Sequence, residues 1–392
     1  MANETFIKRV KLEGYKSIRS AEIDFQPGLN IVIGKNGSGK TNFLKLIDKA
    51  IRTSYSELDN DFYLEMDVFN REHIHIVVAR ILSLKNEEVQ NFSPKKKQIK
   101  AVVQIYEEKK KEFNRLIGDE LPEIREYLYE NRILLNNKFL GFSLSENLLL
   151  VSNAQEVRVE LSDERKVMVF NSLDNYFDSD LPERVINTLA LVVLDALTDD
   201  LKVEILETLK IEIADKLNAL LFDLKTNLEK FSPIESIRFS ENINVYKDNR
   251  EVIFNNLFLE FKINGFWYPF SSLSDGTKRI FYIILEATSF KGVILLEEPE
   301  LGIHPHQLHL LMTFLKEQSE DKQIILTTHS PQVLNVLSKD ELDRIIICEM
   351  TGDGTKLRHL NEKQKAKARK YMEQDSFLSD YWLYSDLEPH TP

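Results

Sequence analysis

The sequence predicts an α/β fold built on a parallel sheet and interrupted by a largely helical insertion. Three observations carry that prediction. The first is Gly34-Lys35-Asn36-Gly37-Ser38-Gly39-Lys40-Thr41, which fits the phosphate-loop pattern G-x-x-x-x-G-K-[ST] without a mismatch. An apolar β-type run, Leu29–Ile33, feeds into it, and an amphipathic helical pattern (Phe43, Leu44, Leu46, Ile47, Ala50) leaves it. The second is a later buried-strand run, Gly292–Leu296, ending in Glu297-Glu298-Pro299-Glu300. The third is the run Gln323–Thr327, followed by Thr328-His329-Ser330-Pro331. In an open parallel sheet, ligands bind beyond the carboxyl ends of the strands, which is where all three tails fall.

Taken in order, Phe6–Leu12 and Ala21–Phe25 alternate in part between apolar and polar residues and read as strands. Pro27-Gly28 supplies the turn into Leu29–Ile33. In the loop, the backbone of Gly34, Asn36, Gly37, Ser38 and Gly39 curls so that its N–H groups face a phosphate chain, and the following helix adds partial positive charge. Lys40 is expected to neutralise the β- and γ-phosphates of a nucleoside triphosphate, and the Thr41 hydroxyl to ligate Mg²⁺. A helix is expected over 41–56 and a strand over His73–Ala79. His73 and His75 share one face of that strand, but no Cys, Asp or Glu at ligand spacing joins them, so they read as surface residues.

From about residue 93 the character changes. Lys95–Lys97 precedes a charged pattern with Val102, Val103, Ile105, Tyr106, Phe113, Leu116 and Ile117, read as helical. Residues 133–170 return to short strands, and Pro182–Phe231 is a long helical stretch in which Leu206, Ile213, Leu217, Leu220, Leu224, Leu228 and Phe231 recur at helical spacing. The chain thus divides into 1–92, an insertion over 93–235, and 236–392. The last part opens with antiparallel strands (236–270). Ser271–Arg279 then precedes a helical run, where the Ser274 hydroxyl and the Gly276 amide offer a second anion site. Among the acids, Glu297 is placed to hold the Mg²⁺ environment and Glu298 to orient and deprotonate the attacking water. His329 is placed to reach the γ-phosphate.

Composition narrows the class. A net charge of −12 argues against a surface that coats nucleic acid generally, and leaves a local basic groove open. The single cysteine, Cys348, excludes an intrachain disulfide and reads as a buried core thiol. The N-terminal residues show no signal-peptide core. The longest apolar stretch, Val185–Leu197, is broken by Asp195 and too short to span a bilayer, so a cytoplasmic protein without membrane contact is expected. The basic helix Lys363–Lys370 reads as a solvated face.

Together these elements resemble the ABC-type ATPase heads of the SMC and RecF group. In that resemblance Ser274-Asp275-Gly276 stands at the signature motif, Glu297-Glu298 at Walker B, Glu300–Pro305 at the D-loop and His329 at the switch histidine. Gly14–Arg19 is similar to the group's N-terminal nucleotide contact, with Lys16 as the contacting residue. A nearer resemblance is to OLD-family proteins and the ATPase subunits of anti-phage systems of the Septu and PARIS type. It is carried by "LSDGTKR", "LLEEPELGIHPHQ", "TTHSPQVLN" and "FLSDYWLYSDLE" and covers residues 5–60 and 236–385.

The resemblance implies ATP and Mg²⁺ as cofactors and a homodimer or higher even-numbered assembly. In it, ATP is sandwiched between Lys40, Thr41, Glu298 and His329 of one protomer and Ser274 of another. It further implies the sensor or scaffold subunit of a defence complex that controls a separate nuclease or toxin. OLD nucleases continue into a domain built on Glu and Asp-x-Asp; the residues after His329 contain no D-x-D, so no nuclease domain is expected. Two other readings remain open: a RecF-like DNA repair ATPase, and a nucleotide-gated scaffold with little turnover. The chain departs from the SMC pattern in having Glu297 as the first Walker B acid, and no glutamine stands at the Q-loop region Asp59–Phe62.

Overall fold

The computed structural model describes residues 5–51, 62–70, 73–80, 102–107, 112–117, 137–140, 155–161, 167–171, 188–189, 203–248, 251–289, 292–374 and 376–384. The chain divides into two compact units. One holds residues 1–142, 291–300 and 315–392, the other 143–290 and 301–314.

The first unit contains two six-stranded sheets. One is antiparallel and runs β2 (Ile18–Asp24), β1 (Thr5–Tyr15), β4 (Phe62–Asn70), β5 (His73–Arg80), β6 (Val102–Glu107), β7 (Glu112–Ile117). Inward and outward residues mostly alternate along β2, as expected of a sheet with one solvated face. The other sheet runs β19 (Gly354–His359), β18 (Ile345–Thr351), β3 (Leu29–Ile33), β17 (Ile324–Thr328), β16 (Val293–Glu297), β8 (Asn137–Leu140). All its pairings are parallel except that of β18 with β19. Every residue of β3, β16 and β17 is buried, so an unbroken apolar run, not alternation, marks these central strands.

The helix after the phosphate loop, α1 (Lys40–Ile51), packs Phe43, Leu44, Leu46 and Ile47 into one cluster with Val10, Leu12, Leu64 and Met66 of the antiparallel sheet and Val32, Leu295 and Ile325 of the parallel one. A buried amide ties the two sheets. Gln323 Oε1 accepts from the Ile7 N–H at 2.8 Å while its Nε2 donates to the Ile7 and Gln26 carbonyls. Asn30, fully buried in β3, likewise holds the preceding turn through Gln26 and Gly28.

The second unit contains a four-stranded sheet, β10 (Val167–Asn171), β9 (Gln155–Leu161), β13 (Glu251–Leu257), β12 (Asn244–Asp248), and a three-stranded one, β11 (Ser236–Phe239), β14 (Leu259–Ile263), β15 (Phe266–Pro269). Helices α2 (Val203–Leu220), α3 (Phe222–Phe231) and α4 (Asp275–Ser289) belong to it. Residues 279–287 of α4 are buried on all sides, and Phe281 meets Phe261 edge-on at 4.9 Å. Helix α5 (Pro305–Gln318) starts in this unit and ends in the first, which also holds α6 (Glu362–Met372) and α7 (Leu378–Tyr384).

One expectation is corrected. The charged segment with Val102, Val103, Ile105, Tyr106, Phe113, Leu116 and Ile117 is not helical; it forms β6 and β7, paired from Val102↔Ile117 to Glu107↔Glu112. β-branched residues at 102, 103 and 105 suit a strand, and β6 finds a ready edge on β5, so pairing overrides the local charge pattern. The segment 93–235 is accordingly shared: β6, β7 and β8 belong to the unit with the phosphate loop, and β9 through α3 to the other. The helix expected over 41–56 is described as far as Ile51, and Asp59–Asp61 of the Q-loop region lie outside the described residues. Of the Pro182–Phe231 stretch, residues 188–189 and 203–231 are described as helical, save a turn at Leu221. The basic helix expected over Lys363–Lys370 lies within α6, where Lys365 is buried and pairs with Asp343 and Glu362 while Lys363, Lys367 and Lys370 face solvent.

Candidate functional site

The parallel sheet places three loops side by side. β17 pairs with β3 on one side and β16 on the other, with Thr328 opposite Ile33 and Thr327 opposite Glu297. The phosphate loop, the acidic pair and the histidine turn therefore leave neighbouring strands at the same end. The Gly34 N–H reaches the Thr328 carbonyl at 3.3 Å and the Glu298 N–H reaches that of Thr327 at 2.8 Å, so the ladder continues one residue past the strands.

A cleft of about 400 Å³ opens there, lined by Ser17, Asn36, Gly37, Ser38, Gly39, Lys40, Thr41, Asn42 and Glu298. Lys40 is 4% exposed, and its ammonium donates to the carbonyls of Gly34 and Lys35 at 2.8 and 2.9 Å. Those bonds hold the loop as an arch over its own lysine. The arch is fixed from behind by Thr355, whose hydroxyl donates to the Ser38 carbonyl at 2.9 Å and bonds the Ser17 hydroxyl at 2.8 Å. Gly39 sits against that hydroxyl pair with φ +103°; a Cβ there would come 2.8 Å from Thr355 Cγ2 and 3.0 Å from Ser17 Oγ. Cys348 lies beneath the loop, and burial pushes its thiol up to about 11.

Glu297 ends β16 and is 1% exposed. The next residue, Glu298, has φ +42°, a left-handed backbone rarely adopted by a residue with a Cβ. That bend turns the chain out of the strand, and Glu298 lines the same cleft as Lys40. His329 follows β17, its Nδ1 3.6 Å from Glu298 Oε2 and 3.3 Å from Glu300 Oε1. Thr41 and Glu297 offer a hydroxyl and a carboxylate, hard oxygen donors of the kind Mg²⁺ takes alongside phosphate oxygens. Among the described residues no group of three or more His, Cys, Asp or Glu forms a self-sufficient metal cage.

Ser274 and Gly276 belong to the other unit. The Ser274 hydroxyl accepts from the Thr277 N–H at 3.2 Å and pairs with the Thr277 hydroxyl at 2.9 Å, capping α4. Gly276 is pressed against the Gly302 carbonyl, where a Cβ would overlap the backbone. Lys16 occupies the β1–β2 turn with φ +49°, its ammonium 5.3 Å from the Tyr15 ring; it is its neighbour Ser17 that lines the cleft. Ser17, Asn42, Thr355 and Glu300 are participants that the motif reading did not single out as individual residues. Only their positions in the folded sheet reveal them, since each is far in sequence from what it touches or is a common residue in a common turn.

The family model described as "AAA domain, putative AbiEii toxin, Type IV TA system" matches residues 29–335, more than half of the chain. The chain belongs to this family. Within it the fold is that of an ABC-type P-loop ATPase, with the mixed sheets and loop placement described above. The AAA-domain chain is similar to an "ATP/GTP phosphatase" of Helicobacter pylori, 22% identical over 85% of this chain and 88% of the relative. It also matches the "DNA replication and repair protein RecF" of Streptococcus agalactiae, 50% identical over 42 residues, a match spanning 11% of either protein. A solved Smc head domain from Pyrococcus furiosus, bound to the C-terminal domain of ScpA, aligns over 95% of this chain and 99% of that one at 15% identity and a TM-score of 0.49. No described helix is long and apolar enough to cross a membrane.

Proposed function

We propose that this chain binds and hydrolyses ATP at the cleft beside the phosphate loop, and that it works as the sensor or scaffold subunit of a defence complex with a separate nuclease or toxin effector. One observation carries the hydrolytic part: Glu298, turned out of its strand by a left-handed backbone, lines the same cleft as Lys40 and Thr41. Resemblance to an ATP/GTP phosphatase along most of both chains supports it.

The residues divide the chemistry among them. Loop amides, Lys40 and the α1 N-terminus neutralise and orient the phosphate chain. Glu298 accepts the proton of the attacking water. His329 contacts the terminal phosphate, and so reports whether it is still attached. Thr41 and Glu297 would hold Mg²⁺, which when bound offsets negative charge on the phosphate oxygens. Ser274 and the Gly276 amide serve the nucleotide of a second copy, which makes ATP the glue of a homodimer or a larger even-numbered assembly. The defence role rests on the resemblance in the sequence and on a family description that names a toxin–antitoxin system.

The test has two arms. Lys40→Ala should abolish ATP binding, and Glu298→Gln should bind ATP and stall in the assembled form; wild-type turnover by Glu298→Gln removes it as the base. Tagged protein expressed from its own gene cluster should co-purify with a stoichiometric small nuclease or toxin. Recovery with DNA or replication factors alone would instead establish the RecF-like repair reading.

A further inference from the structure

Glu300 has no part in the chemistry just described, yet it binds the tip of β17 closely. It follows the acidic pair beyond Pro299 and points back at the tip of β17. Its Oε1 accepts from the Thr328 hydroxyl at 2.6 Å, the His329 N–H at 3.0 Å and the Ser330 N–H at 3.3 Å. The same oxygen lies 3.3 Å from His329 Nδ1, nearer than the 3.6 Å to Glu298 Oε2. The side chain is 7% exposed, and its second oxygen is enclosed with no hydrogen-bond partner among the described residues.

Closing the turn does not require this. The Ser330 N–H is already met by the Thr328 hydroxyl at 2.9 Å, and an enclosed, unpaired polar oxygen costs about 1–3 kcal/mol, more when charged. A hydroxyl cap would avoid that cost. What a carboxylate adds is a charged acceptor 3.3 Å from Nδ1, placed to hold the ring from that side and leave Nε2, on its opposite edge, for a phosphate oxygen.

We propose that Glu300 is a positioning residue for His329: it clamps the Thr328–Ser330 turn through two backbone N–H groups and fixes the ring by accepting from Nδ1–H. This rests on the triphosphatase reading for its consequence, but the clamp itself is readable without turnover. In ¹⁵N-labelled protein, with His329→Gln used to assign the ring, Nδ1 of His329 should carry a proton, and Glu300→Leu should move that proton to Nε2, the usual site in a solvated neutral ring. Ring signals unchanged by Glu300→Leu overturn the proposal.

Kinetics supply the second reading. Glu300→Gln keeps an oxygen for the turn and should fold. It should lower kcat at least tenfold, leave the Kd for a non-hydrolysable ATP analogue within twofold, and have no further effect in a His329→Ala background. An equal loss in that background, or an unchanged kcat, overturns it. Wild-type protein that hydrolyses no triphosphate sinks the ATPase reading alone, because the ring signals still report the clamp.

Discussion

The backbone of Glu298 makes a prediction that separates shape from chemistry. At φ +42° a side-chain-bearing residue is strained by about 1–2 kcal/mol, because its Cβ crowds the following carbonyl. Glycine feels no such crowding but loses more chain freedom on folding, about 0.5–1 kcal/mol. Glu298→Gly should therefore be about 0.5–1 kcal/mol more stable than Glu298→Ala, although both lack the carboxylate. In a unit of this size each kcal/mol moves Tm by about 2–4 °C, so the glycine variant should melt roughly 1–4 °C higher. The assay is a thermal melt without nucleotide, read alongside ATP turnover, which both variants should lose. The solvent-facing Lys367 of α6 provides the control of opposite sign, since Lys367→Gly should fall about 1 kcal/mol below Lys367→Ala. An alanine at 298 as stable as glycine refutes the strain, and with it the argument that this bend is kept for what the carboxylate does.

Other consequences are open to simple measurements. Gly39→Ala combines left-handed strain with a Cβ driven onto Thr355, together about 3 kcal/mol, and should lower Tm by roughly 6–12 °C; measured against Thr355→Ala alone, the same change should cost only the strain. Burial raises the Cys348 thiol from its ordinary 9.0 to about 11, so folding favours the neutral thiol. That contribution is fully present below about pH 9 and is lost as pH rises through about 11. Urea titrations from pH 8 to 11 should show it, and Cys348→Val should flatten the slope; for the same reason, iodoacetamide at pH 9 should modify unfolded protein at least tenfold faster than native. Gln323→Leu leaves the Ile7 N–H and C=O without their partner between the sheets and should cost about 2–4 kcal/mol in denaturant melts, against under 1 kcal/mol for a solvent-facing change such as Lys367→Ala.

Much of the site was legible in the sequence because its parts are local. A phosphate loop is eight consecutive residues, and the acids and the histidine each end an apolar run that could only be a central strand. Glu300 stood in the open, beside the acidic pair, but its partners lie 28 to 30 residues on, across a strand pairing that no local pattern encodes. Thr355 was invisible for the same reason, since it touches Ser17 and Ser38 more than 300 residues away. The hairpin β6–β7 misled because its charges suit an exposed helix, while its fate was decided by the free edge of β5. Ser274 was correctly placed at a helix start, yet a cap and a ligand contact use the same hydroxyl, and sequence does not distinguish them.

The position of β3 in its sheet bears on how the protein is made. Both of its neighbours, β17 and β18, come from the far end of the chain. Roughly 290 residues separate β3 from β17, and at about 5–20 residues per second the ribosome needs some 15–60 s to supply them. Throughout that interval the most apolar strand of the nascent chain has two open edges, a template for wrong partners. The loop that follows β3 gains its supports, Thr328, Cys348 and Thr355, only some 290 to 320 residues later. The loop therefore has its full set of supports only once Thr355 has been made.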